Sequence, residues 1–153
     1  MTLVDWELLS YIVTAIGLPA AIGIFLYEQK KERDNEEEEV FQLVSDNYQD
    51  FLKIVLQNPD LRLFSPEGTP SLNDEQRERM HIIFSMLVSL FERAYLLLFE
   101  PDMSPKQLRR WLSWEDYMRE WCQREDFRDR LPILLRGEDP EFVAYIESLA
   151  RRQ

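Results

Sequence analysis

The chain has 153 residues, 45% of them apolar and 12% aromatic, enough for one hydrophobic core and too many for wholesale disorder. A formal net charge of −11 argues against a nucleic-acid polymer as the main partner and against broad adhesion to an anionic lipid surface, both of which need clustered Lys and Arg. The single cysteine, Cys122, excludes an intrachain disulfide, and four glycines supply little hairpin-turn chemistry, so an all-α fold is expected.

The first predicted element is a membrane span. Residues 8–27 read LLSYIVTAIGLPAAIGIFLY without a charge. As a helix this run covers ~30 Å, the thickness of a bilayer hydrocarbon core. Asp5 and Glu7 precede it while Lys30, Lys31 and Arg33 follow it. The positive-inside rule then places residues 1–7 outside and everything after the span in the cytoplasm, at the inner membrane of a bacterium. Trp6, Tyr11 and Tyr27 stand where interfacial anchors belong. A cleaved signal peptide would begin basic and run shorter, and a buried core helix would carry a polar stripe. Pro19 is compatible with a membrane helix. Ser10, Thr14, Gly17 and Ala21 recur at steps of four, three and four. They form a small-residue face suited to helix–helix packing in the membrane. The expected partners are therefore the lipid bilayer and either a second copy in a homo-oligomer or another membrane protein.

Residues 28–39, EQKKERDNEEEE, form a charged linker or a solvated extension of the same helix. Glutamates 36–39 make an improbable metal cage, because consecutive helical side chains diverge; they place negative charge near the start of the next helix. A cytoplasmic helical domain is expected over 40–153. Val40, Val44, Tyr48, Phe51 and Val55 are spaced as the apolar stripe of a helix that breaks at Asn58-Pro59-Asp60. Residues 61–70 read as a loop, and Ser71 with Asp74 predicts the capping box of the helix after it.

That helix, 72–99, is the strongest element, with Met80, Ile83, Phe84, Leu87, Leu90, Phe91, Ala94 and Tyr95 on one face. Ile82, Met86, Val88, Leu96 and Leu97 widen the face, which predicts a central position or a contact with another subunit. Glu92 and Arg93 interrupt the apolar run, which counts against a second membrane span and predicts a buried ion pair. Ser104 and Pro105 open a third helix to about residue 124, with Leu108, Trp111, Leu112, Met118, Trp121 and Cys122 inward. A short helix over 127–135 carries Pro132. Asp139 and Pro140 open a last one with Phe142, Val143, Ile146 and Leu149 inward.

Sequence motifs for chemistry are sparse. His81 is the one histidine, so neither a two-histidine zinc site nor a Ser-His-Asp set can be assembled from one copy. No catalytic residue, metal ligand or cofactor is assigned. Cys122 lies on an apolar face beside Trp121, where a thiol is inert. Acid catalysis by Glu92 would need a second polar group in a cleft. Arg109, Arg110, Trp111 and Trp114 combine guanidinium and indole groups, which can bind a small anionic ligand or stack a base. Core tryptophans beside solvated arginines account for the same pattern.

The segments SLFERAYLLL (89–98), WLSWEDYMREWCQR (111–124) and GEDPEFVAYI (137–146) resemble bacterial families of N-terminally anchored helical membrane proteins of unknown function. In those families a membrane helix precedes a Phe-Glu helix and a tryptophan-rich helix. The resemblance covers most of the chain and implies the same fold, with no activity attached. In layout alone the chain is also similar to small anchored effectors of antiphage defence, whose cytosolic domains sense a nucleotide. Two functions are thus expected from sequence: a non-enzymatic, membrane-tethered, self-associating interaction or scaffold module, or a defence-type effector gated by a nucleotide or other anionic ligand.

Overall fold

The computed structural model describes the backbone of residues 3–152 and the side chains of residue 11 and residues 15–152. Among these residues the fold is all-helical: α1 (Leu3–Leu56), α2 (Asp74–Leu98), α3 (Pro105–Gln123), α4 (Glu125–Leu134) and α5 (Pro140–Ala150), with a 3-10 turn at Pro59–Leu61. Two compact units divide the chain, one ending at Glu39 and the other beginning at Val40, so the boundary falls within α1.

In the first unit α1 continues through Pro19. Residues 15–27 carry no charge and every one is exposed, among them Ile16, Leu18, Phe25 and Tyr27. A Cβ added at Gly17 would meet nothing. Of the small-residue stripe, Gly17 and Ala21 are exposed, whereas the side chains of Ser10 and Thr14 lie outside the described residues. So do the side chains of residues 8–10 and 12–14 within the expected membrane span.

The second unit is built around α3, which packs on α2, α4 and α5, while α2 also packs on α4 and α5. The α1 residues of this unit dock by aromatic contacts: Tyr48 stacks on Tyr117 with ring centroids 4.5 Å apart, and Phe51 meets Trp121 edge-on at 5.7 Å. Trp121 Nε1–H donates to the Tyr48 hydroxyl (3.2 Å), so both polar tips are satisfied inside the core. A second aromatic group joins α2, α3 and α5, where Trp111 lies against Tyr95, Phe99 and Tyr145. Here Trp111 Nε1–H donates to the Tyr145 hydroxyl (3.2 Å), which in turn donates to Glu115.

Among the described residues α2 is the helix long and apolar enough to cross a membrane, by length and composition alone, and close to half of its apolar stretch is buried in the fold. The inner face is as the spacing predicts, Met80, Phe84, Leu87 and Phe91 being fully buried, and Val88 joins them. Ile82, Met86, Leu96 and Leu97 are exposed. Helix α3 departs from expectation in detail. Trp114 faces the core, and Leu108 and Leu112 face outward, because residues 111, 114, 118, 121 and 122 share one face at steps near the helical repeat.

Helix starts follow local chemistry. Ser104 and Gln107 form a reciprocal capping box with Pro105 in the first turn, and the Asp139 carboxylate accepts from the N–H groups of Glu141 and Phe142. The box expected at Ser71 and Asp74 instead forms two residues later, between Asn73 and Gln76. Ser71 has φ 60°, a left-handed conformation in which it cannot act as the extended N-cap, while Asn73 is extended (φ −75°, ψ 174°).

The loop over 57–73 is tied down at both ends. Arg79 reaches from α2 to Asn58 (2.8 Å) and Asp60 (3.0 Å), and also pairs with Glu75. Arg124, 2% exposed, stands in extended conformation between α3 and α4. Its guanidinium donates to the carbonyls of Arg62 (2.7 Å) and Ser65 (2.9 Å), to Thr69 Oγ1 (3.0 Å) and to Asp126 Oδ2 (2.8 Å). Arg124 Nε also lies 2.6 Å from Asp126 Oδ1 as an ion pair. A buried cation is tolerable only when it is paired with an anion and finds acceptors for its N–H groups, as Nη1 and Nη2 do here.

Candidate functional site

The structure does not bring the four residues of the guanidinium–indole set, Arg109, Arg110, Trp111 and Trp114, together on one open face. Trp111 and Trp114 are 2% and 1% exposed and spend their faces on core aromatics, so neither ring is open to a base. Arg109 projects into solvent, while the Arg110 guanidinium lies 4.9 Å from the Phe41 ring centroid, a cation–π contact that fixes α1 against α3. Helical geometry explains the separation, since the residues that fill the core leave their neighbours at 109 and 110 off the inner face.

The predicted Glu92–Arg93 ion pair is also absent. Consecutive helical residues point ~100° apart, and the two side chains accordingly serve different surfaces. Glu92 is half-buried and accepts from the backbone N–H of Asp139 (2.5 Å), fastening the start of α5 to α2. It also shares a hydrogen bond with the Glu138 carboxyl, which that bond, burial and the Glu92 charge push up to about 7. Arg93 is exposed and forms no ion pair among the described residues.

Three further groups are fixed by their surroundings. His81 is exposed on α2. Cys122 is fully buried, and burial pushes its thiol up to about 12, which removes the thiolate needed of a nucleophile. Burial raises Glu115, but hydrogen bonds from Tyr145 and Arg119 outweigh it and hold the carboxyl below its ordinary range. No group of three or more His, Cys, Asp and Glu is placed to hold a metal ion among the described residues.

What the fold leaves open is a groove of ≈ 540 Å³ between α2 and the part of α1 that belongs to the second unit. Its α1 lip is Asn47, Asp50 and Ile54, and its α2 lip is Ile82, Met86, Ser89 and Arg93, with Phe51 and Leu90 in the floor. Ile82 and Met86 are 53% and 42% exposed. A smaller groove of ≈ 440 Å³ runs along the other side of α1, where Tyr48, Leu52, Phe64, Tyr117 and Glu120 contribute. The wide apolar face of α2 signals the first groove in the sequence; the α1 lip, with its Asn and Asp, carries no such signal. Arg124, whose guanidinium holds the 57–73 loop, is equally inconspicuous there.

A family model, a curated protein and a solved structure were each sought for this chain, and none matches.

Proposed function

We propose that the chain is a single-pass inner-membrane protein in which residues 8–27 cross the bilayer, residues 1–7 lie outside, and Val40–Gln153 serves in the cytoplasm as a non-enzymatic, self-associating interaction or scaffold domain. One observation carries this reading: residues 15–27 are uncharged and exposed, a continuous apolar helical surface within the first unit. Such a surface is costly in water and at home in lipid. The change of flanking charge, from Asp5 and Glu7 to Lys30, Lys31 and Arg33, supplies the orientation. The partly exposed apolar face of α2 supplies a surface for docking.

The nucleotide-gated alternative rests on an arginine–tryptophan platform. With both indoles in the core, no observation favours it.

Carbonate extraction of membranes, together with protease access to a C-terminal tag in inside-out and right-side-out vesicles, tests the reading. The protein is expected to stay in the pellet with its tag on the cytoplasmic face. Release by carbonate would sink it, and an outward tag would sink the topology.

A further inference from the structure

The α1–α2 groove has two lips with the same spacing. On α1, Asn47, Asp50 and Ile54 advance by three and four; on α2, Met86, Ser89 and Arg93 do the same, with Ile82 one turn before them. That is the spacing at which helices of a bundle present a seam to a neighbouring helix. Both seams face outward here, because the buried stripes of the two helices (Val44, Tyr48, Phe51 and Met80, Phe84, Leu87) are already occupied by α3, α4 and α5.

We propose that this groove is covered by the same groove of a second copy of the chain, a deepening that rests on the reading of the domain as a self-associating module. The contact is two-fold, with α1 and α2 of one copy against α1 and α2 of the other.

Charge selects this occupant. The chain as a whole carries −11, so most of its surface repels a second copy. The groove lining holds one acid, Asp50, and one base, Arg93, and sums to zero. In an isologous contact residue i meets residue j twice. Asp50 of each copy can therefore meet Arg93 of the other, giving two identical pairs across one axis. Arg93 has no competing ion pair among the described residues. Asp50 is held by Lys53 at 2.7 Å, an exposed i,i+3 contact that is weak and easily exchanged. Lys53 itself lines the other groove, on the α3 side of α1. The apolar members Ile54, Ile82 and Met86 would exclude water around the charge pairs. Tethering both copies to one membrane would raise their effective concentration, so a modest interface suffices.

The test uses the full chain in detergent micelles and measures self-association by sedimentation or fluorescence over a concentration series. Asp50→Arg and Arg93→Glu each put like charges face to face and are expected to weaken association by about tenfold or more. Mixing the two single variants is expected to restore it, since every cross-copy pair is then of opposite sign. An ion pair within one copy could not be rescued by mixing. Met86→Lys, at an exposed position, is expected to weaken association with helix content unchanged by circular dichroism. Full association by the single variants, or no recovery in the mixture, overturns the groove contact. Loss of association on Gly17→Leu with the groove variants unaffected overturns it as well and moves self-association to the membrane helix. Neither of these results touches membrane insertion, which carbonate extraction reads separately.

Discussion

Replacing Glu138 by glutamine should stabilise the protein above neutral pH and do nothing in mild acid. In the wild type the Glu138 carboxyl hydrogen-bonds to Glu92, and this contact, with burial, takes it from an ordinary 4.5 to about 7. A folded-state pKa above the unfolded value means that the contact contributes fully below pH 4.5, fades as the pH rises, and is gone above about 7. The interval between 4.5 and about 7 corresponds to at most ~3.4 kcal/mol. Water reaches this half-open site and weakens the repulsion, so about 1–2 kcal/mol is expected. The glutamine amide keeps a donor for Glu92 at every pH. Thermal unfolding of the full chain in detergent, followed by circular dichroism at pH 4.5 and pH 8, should therefore show equal midpoints in acid. At pH 8 the Glu138→Gln variant should melt several degrees higher. Equal midpoints at both pH values, or a wild type more stable at pH 8, would refute the shared-proton contact between α2 and the start of α5.

Other consequences concern the core and its clamp. Arg124→Ala removes five contacts to the 57–73 loop and Asp126. A loss of about 3 kcal/mol is expected, with limited proteolysis opening the loop first; unchanged protection would show that the loop is held by other means. Tyr48→Phe leaves Trp121 Nε1–H buried without its acceptor, which should cost about 1–3 kcal/mol in a denaturant titration. Cys122 should resist thiol reagents at pH 8 until the protein unfolds, given complete burial and a thiol pushed up to about 12. Fast labelling of the native protein would place it elsewhere.

Much of the second unit was legible because helix boundaries are set by residues a few positions apart. Asn58 and Pro59 end α1, Ser104 with Pro105 opens α3, and Asp139 with Pro140 opens α5, each through backbone N–H groups that the local side chain can or cannot satisfy. The buried stripe of α2 was legible for the same reason, since helical periodicity depends on nothing beyond the helix. Ser71 misled because its competitor Asn73 is an equally good cap, and the choice between them lies in backbone angles imposed by a loop that Arg124 and Arg79 hold from a distance.

By itself, then, the amino-acid order determined that the described residues are helical and where most of the helices start and stop. Tertiary packing decided what each charged neighbour on α2 meets: Glu92 lies against the start of α5 while Arg93 stands in solvent. It also decided that two outward seams border one groove. The physical reason is that a helix specifies its own faces, whereas the neighbour each face meets depends on residues tens of positions away, as Tyr48 meeting Trp121 does.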